Sequence, residues 1–513
     1  MNKTSFPVAV LFFTCLTLFA EVRADENDKP VSFHEQVAPI LQAKCQGCHQ
    51  PAKASGNFVM TDFAKLLSAG ESEAASIVPG KPDESYLVQQ IMSVDGAAAM
   101  PPNGKPLSDV EVQLIRRWIA EGATDDTPPS TKAVYDRENP PVYALPPVVS
   151  SLDFSADGQF LAVGGFNEVL LHNADGSGIA DRLVGLSERI ESVRFSPDGK
   201  RLAVTGGQPG RQGEVQVWDV ETRTLLLSHS VTYDTVYGAS WSPDGKLIAF
   251  GCVDNSVRAI DAATGEQVLF QGAHSDWVRD TVFTVENESP HLLSVARDMT
   301  VKLTEVSTNR FIDNVTSITP GALKGGINAI ARHPERDEIL VGGSDGVPKI
   351  YRVFRITARK IGDDSNLIKT LQPMIGRVFG AAVSKDGTRL AAVSSLDGKG
   401  ELAVYSYEFD TSFPDDLKAI SAKRVRDRKP EEQQKLDDYR SKDMQRVANV
   451  KIDESPLYAV AFHPNSRQVA VAGGDGTIRL YDTETGQPVV TFPAAPVDQS
   501  GSQRNGLPVT ELK

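Results

Sequence analysis

The sequence predicts a multidomain chain: a small all-α domain followed by an all-β array of seven four-stranded units, a seven-bladed β-propeller. Three observations carry this. Apolar residues recur at helical spacing near the front, a proline-rich joint follows, and from Val148 onward a strand–turn–strand pattern repeats. Length agrees, since 513 residues exceed what one core comfortably serves.

The repeat is plainest at Glu191-Ser192-Val193-Arg194-Phe195-Ser196-Pro197-Asp198-Gly199-Lys200-Arg201-Leu202-Ala203-Val204. An alternating strand meets a Pro-Asp-Gly turn, and a second apolar strand follows. Pro197 pre-sets one turn dihedral and Gly199 accepts the left-handed conformation that closes the hairpin. A third strand at 214–220 carries Trp218-Asp219, and 224–229 fits a fourth, outer strand. Equivalent first-strand positions are Phe154, Phe195, Trp241, Phe283, Arg332, Val383 and Phe462, separated by 41, 46, 42, 49, 51 and 79 residues. Most intervals lie near the ~40–45 residues of a four-stranded blade, and seven such units imply seven blades round a channel. The longest interval holds 411–450, dense in charge, with Glu431/Lys435 and Asp438/Lys442 at helical ion-pair spacing. It predicts an exposed helical insertion between the sixth and seventh units. Closure of the array falls to 142–145 or to 487–492.

The helical domain is expected over 25–126. Phe33, Val37, Ile40 and Leu41 share one helix face; 61–67 and 85–91 read as short helices, with Val78-Pro79-Gly80-Lys81-Pro82 as a turn. Ser108-x-x-Glu111 is a capping box before Val112, Ile115, Trp118 and Ile119, and Gly122 closes that helix. Residues 127–147 contain three Pro-Pro pairs and read as a stiffened linker. The array spans 148–495, and 496–513 is a C-terminal tail.

Residues 1–24 read as a secretory signal: Lys3, an apolar core over 8–20, and the small-residue cleavage pattern Val22-Arg23-Ala24. That apolar run is shorter than the roughly 20 residues a bilayer needs. The reading is an exported, periplasmic or extracellular protein with no transmembrane segment in the mature chain; an uncleaved anchor is the rival. Cys45, Cys48 and Cys252 then remain, too few for a disulfide framework. Cys252 sits in an apolar strand-like run and reads as a buried thiol. A net charge of −14 with no basic stripe argues against a nucleic-acid partner.

Cys45-x-x-Cys48-His49 carries the chemistry. Two thiols at this spacing add across the vinyl groups of one haem, and the adjacent imidazole reaches the iron, the pattern of covalent haem c attachment made outside the cytoplasm. A structural zinc site needs four ligands, and His34 is the domain's only other histidine. A thioredoxin-like pair lacks its βαβ setting. For the opposite axial position Met100 stands before Pro101-Pro102, a stiff loop; Met60, Met92 and His34 compete. In the array His172, His229, His274, His291, His333 and His463 are scattered rather than paired at metal-ligand spacing. His274-x-Asp276-Trp277 and the Asp-Gly pairs read as structure, and no catalytic signature stands out.

Residues 33–122 resemble the planctomycete-type cytochrome c domain, a branch of the class I cytochromes. The matching elements are Phe33, Val37-x-Pro39-Ile40-Leu41, Cys45-Gln46-Gly47-Cys48-His49, Val78-Pro79-Gly80-Lys81-Pro82, Met100-Pro101-Pro102 and Trp118-Ile119-x-x-Gly122-Ala123. Residues 148–495 are similar to WD-repeat propellers, with Trp218-Asp219 as the signature dipeptide and Leu480-Tyr481-Asp482 approximating it. The resemblance implies one covalent haem c, with Met100 as the distal ligand. His/Met ligation closes the iron to substrates, so the expected role is outer-sphere electron transfer, a carrier rather than an enzyme, with the propeller docking a redox protein partner or a protein or polymer ligand. Two alternatives stand beside it. One is a haem-dependent oxidoreductase of the cytochrome-plus-propeller type or a quinone-dependent dehydrogenase; the other is a propeller binding protein with a redox-sensing haem.

Overall fold

The computed structural model describes residues 29–45, 49–50, 53–60, 63–93, 97–102, 106–127, 135, 137–286, 289–316, 326–409 and 413–498. The signal-like segment 1–24, Cys48 and most of the C-terminal tail lie outside them. The chain divides into one unit of Met1–Gln46 and Gly56–Lys132 and a second of Gly47–Ser55 and Ala133–Lys513.

The first unit is helical where the periodicity places it. Phe33–Val37 forms a wide turn that continues as the helix Ala38–Lys44, with Ser32 Oγ accepting from Glu35 N at 2.9 Å. Shorter helices follow at Phe63–Leu66 and Tyr86–Ile91. The last helix, Asp109–Ala120, starts on the reciprocal cap read from sequence: Ser108 Oγ accepts from Glu111 N at 3.3 Å, and Glu111 Oε2 accepts from Ser108 N at 2.7 Å. It ends at Gly122, whose φ of +106° favours glycine. Val37, Leu41, Leu66, Ile91, Ile115 and Ile119 bury round Trp118, which stacks on Phe33 at 5.2 Å and donates its Nε1–H to Thr124 O at 3.0 Å. This unit therefore has a packed side-chain core of its own.

The second unit is all-β from Leu152 to Pro493, apart from one helical excursion. Among the described residues it holds five four-stranded antiparallel sheets and one of seven strands. The seven-stranded sheet is two repeat units joined by the 17-residue strand Ile179–Phe195, which pairs with Phe166–Asn173 over its first part and, from Arg189, with Arg201–Gln208. The innermost strands of the seven units are Leu152–Phe154, the end of Ile179–Phe195, Val236–Trp241, Val278–Glu286, Ile327–Arg332, Arg377–Val383 and Leu457–Phe462. All seven positions aligned from sequence fall on them. Each innermost strand packs on the next, and Leu457–Phe462 packs on Leu152–Phe154.

Polar side chains brace neighbouring units. Asp153 Oδ2 accepts from Phe195 N at 2.7 Å, Ser192 Oγ from Ala239 N at 3.1 Å, and Asp280 Oδ2 from Ile330 N at 3.3 Å. Asn328 Nδ2 donates to Val378 O at 2.9 Å, Ser395 Oγ accepts from Leu457 N at 2.8 Å, and Val149 N donates to Gly473 O at 2.9 Å. The hairpin turn is built as its sequence requires: Gly199 has φ +72°, and Ser196 Oγ donates to Asp198 Oδ1 at 2.6 Å. The same Ser–Asp contact recurs at Ser155/Asp157, Ser242/Asp244 and Ser384/Asp386.

Two boundaries differ from expectation. The charged excursion does form helices, Asp415–Ser421 and Pro430–Ser441, but it lies inside the sixth unit, between its third strand Lys399–Ser406 and its outer strand Arg446–Ile452. The end of the span read as helical insertion is thus strand. The helix Pro430–Ser441 packs on Leu367–Thr370, the outer strand of the fifth unit, and covers that edge. There Asp364 receives Arg428 and, at 2.7 Å, Arg440, while buried Lys369 donates to Tyr439 O and Lys442 O at 3.2 Å. Burial pushes the Asp364 carboxyl up, but the two guanidiniums outweigh it and hold it at about 2. The other boundary is the linker. Tyr143, within 127–147, is 7% exposed in the core shared by the first and seventh units, and its OH donates to Glu168 Oε1 at 2.7 Å. The seventh unit takes all four strands from Leu457 to Pro493, and Tyr143 bridges Val497 beyond them.

Candidate functional site

The helix Ala38–Lys44 delivers Cys45 as its C-terminal cap, half-buried against the core round Trp118. Met100 borders the same core, and its loop is held by Met100 N donating to Gln90 O at 2.9 Å. The structure thus brings Cys45 and Met100 to the margin of one apolar cluster. Cys48 lies outside the described residues. His49 opens a short ribbon, pairing with Ala54, and falls with Gly47–Ser55 in the second unit.

The rival axial residues separate by environment. Met60 is a core residue at 5% exposure, so a ligand role would remove it from packing. Met92 is 45% exposed with Arg116 Nη1 3.8 Å from its sulfur. The backbone N–H of His34 donates to Asp126 Oδ1 at 2.9 Å. Met100 is half-buried at the margin of the core. The donor set of two thiols, one imidazole and one thioether fits a covalently held haem. Among the described residues no group of three or more His, Cys, Asp or Glu is placed to hold a bare metal ion.

Four of the array's histidines make structural contacts. His274 Nδ1 lies 2.9 Å from Asp298 Oδ2 and Nε2 2.8 Å from Ser294 Oγ. Burial lowers the His274 pKa; burial alone would raise that of Asp298, but the His274 contact holds its carboxyl well below the usual range. His172 Nε2 meets Ala494 O at 2.8 Å, and His333 and His463 reach Gly387 O and Gly158 O at 3.1 and 3.2 Å, each tying two units together. Cys252 is fully buried, which pushes its thiol up to about 12 and leaves it inert.

One constellation escapes the sequence pattern. Near the start of six innermost strands the pairing register slips by one residue, leaving Glu191, Gly238, Arg279, Asn328, Phe379 and Tyr458 out of the ladder. A bulge re-aims its side chain. All six border one cavity of about 250 Å³. A register slip is a property of the strand pair, and no residue pattern announces it.

Comparison with known proteins places these features. Residues 45–104 match the family described as planctomycete cytochrome C, a span that opens on Cys45 and contains Met100. Residues 182–219, 222–261 and 446–482 match the WD domain, G-beta repeat. The chain is 26% identical over 293 residues to eukaryotic translation initiation factor 3 subunit I of Emericella nidulans, covering 54% of this chain and 83% of that protein. The same-named protein of Lodderomyces elongisporus is 28% identical over 256 residues, 44% of this chain and 69% of its own. Periodic tryptophan protein 2 of Arabidopsis thaliana is 26% identical over 186 residues, 36% of this chain and 19% of its own.

These relatives correct the functional expectation. The first two are named as a translation initiation factor subunit, not as an exported electron carrier. The reading of the whole chain as an exported cytochrome performing outer-sphere electron transfer in the periplasm or outside the cell is overturned on that finding. No helix among the described residues is long and apolar enough to cross a membrane. What stands is a chain that joins a segment matching planctomycete cytochrome C to an all-β domain of WD repeats.

Proposed function

We propose that this chain is a protein-docking module: its WD repeats, over 148–495, close into a seven-bladed propeller, and a class I-like domain over 25–126 carries one haem c. The succession of innermost strands carries the reading, each packed on its neighbour and the seventh on the first. Closed arrays of this kind offer loops and channel mouths for binding. The relatives are themselves named as a subunit, and WD repeats are protein-interaction elements. Cys45 and Cys48 would hold the haem through thioether bonds, and His49 and Met100 would ligate its iron. When bound, that group would supply a redox-active iron. The chain's residues do the rest: Cys45 caps a helix, and Met100 sits at the border of a packed core.

Two measurements test this. Capture on the immobilised full chain from the cells that make it, followed by rebinding of the purified partner, should give 1:1 binding at about micromolar Kd or tighter. Absence of any protein that rebinds overturns docking. A pyridine haemochrome assay after co-expression with a haem c maturation system should give one haem per chain, lost in Cys45→Ser/Cys48→Ser. Colourless protein overturns the haem assignment.

A further inference from the structure

We propose that the cavity at the starts of the innermost strands is a binding site for a monocarboxylate carried on an apolar or aromatic body. Six of seven innermost strands break register at the same level, and each presents its extra residue to this one space. Repeating one irregularity six times at one level gathers six positions round one space. The six residues differ chemically from unit to unit: one acid, one glycine, one arginine, one amide and two aromatics.

Charge selects the ligand. The cavity is bordered by Arg189, Arg194 and Arg279 against Glu191 and Asp280. Arg189 is paired with Glu191 at 3.1 Å, and the charge of Arg194 acts on buried Asp280. Arg279 also acts on Asp280 and lies 4.0 Å above the Tyr237 ring, with its guanidinium at the cavity wall. Three guanidiniums against two carboxylates leave the lining one positive charge in excess, which suits a monoanion better than a dianionic phosphate. The cation–aromatic stack also fixes the fork's orientation before a ligand arrives.

The remaining wall selects the body. Phe379 and Tyr458, from the sixth and seventh units, meet edge to face at 5.3 Å, so a cationic side from the third and fourth units is matched by an aromatic side. Exposed Val148 and Arg189 mark the open end. A volume of about 250 Å³ is below that of a drug-sized pocket and admits one ring with its carboxylate. A free aromatic acid and the C-terminal carboxylate of a peptide ending in an aromatic residue share this chemistry.

Isothermal titration of the full chain with benzoate, benzamide and inorganic phosphate at low salt is the test. Benzoate should bind 1:1 at about millimolar Kd or tighter, with benzamide and phosphate at least about tenfold weaker. Arg279→Gln should weaken benzoate about tenfold and Arg279→Lys less, while Phe379→Ala should weaken it about fivefold, all with an unchanged melting midpoint. Trp277 stacks on Tyr237 at 6.4 Å, so its fluorescence should change on binding and not in Trp277→Phe. Equal binding of benzoate and benzamide, preference for phosphate, or indifference to Arg279→Gln overturns the proposal. A tetrapeptide ending in phenylalanine, free or amidated, identifies the source: tighter binding of the free-carboxylate peptide than of benzoate means a peptide terminus, and weaker binding means a free acid. No protein partner enters these titrations, so failure here leaves docking standing, and failure of docking leaves this site standing.

Discussion

The helical unit and the β-array hold together by opposite means. Among the described residues of the first, Ser76 and Ser85 are the buried polar side chains, and everything else in its core is apolar. The array buries Asp280, Asp313, Glu338, Lys369, Glu401 and Arg440 among many others. The reason lies in repetition. Seven similar apolar sheets would pack on one another in many orders, so burial alone gives cohesion without a unique arrangement. Contacts such as Asp153 to Phe195 N and Asp280 to Ile330 N are satisfied only by the correct neighbour. The small unit has one core and no such ambiguity, so it needs no polar braces.

The sharpest way to break this contrast is Trp118→Ala. Loss of that side chain should cost about 3–5 kcal/mol, enough to unfold the helical unit while the calorimetric transition of the array stays in place. A shift of both transitions together would deny that the units are separately stabilised. Next in size, Asp364→Ala leaves Arg428 and Arg440 buried without their carboxylate and should cost about 3 kcal/mol. Hydrogen exchange should rise over 415–441 and remain unchanged at 109–120.

Titration separates the two regions further. Burial lifts the Asp153 and Asp280 carboxyls from 3.8 to about 6, with the opposing charge of Arg194 too weak to prevent it. Between those values the folded array holds protons that the unfolded chain has released. Its stability should therefore fall as pH rises from about 4 through 6, by roughly 2–3 kcal/mol per group at most. Asp280→Asn should flatten that slope in denaturant titrations. Asp364 runs the other way: its contribution is present above 3.8 and lost as pH falls through about 2. The helical unit, with no buried carboxylate among its described residues, should show no fall of stability as pH rises from about 4 through 6. The smallest effect is Ser108→Ala, expected to lower the helical unit's stability by about 1 kcal/mol, read from its thermal midpoint.

Local grammar was legible and placement was not. The capping box at Ser108, the turn at Gly199 and the seven aligned strand positions were readable because each depends on residues within a few places of one another. The excursion's location inside the sixth unit was not, because Arg446–Ile452 rejoins a strand some forty residues upstream and its own burial alternates weakly. Tyr143 was hidden by its prolines: one aromatic residue in a stiff segment gives no periodicity, yet it docks by its ring and by a hydroxyl that donates to Glu168 Oε1 and accepts from Phe166 N. Cys45 and Met100 were nameable as a pair from their motifs, but only folding shows that they border the same core. The bulge residues were unreadable, since Arg279 in a strand looks like any solvent-facing arginine until its partner strand skips it.

The unbroken strand Ile179–Phe195 has a mechanical consequence. Everywhere else a loop separates one repeat from the next and can absorb extension before either yields. Here tension on the first repeat passes straight along one backbone into the second, with no slack between them. Pulled from its N-terminal side in an optical trap, the array should surrender these two repeats in a single rip, and the later ones in separate steps.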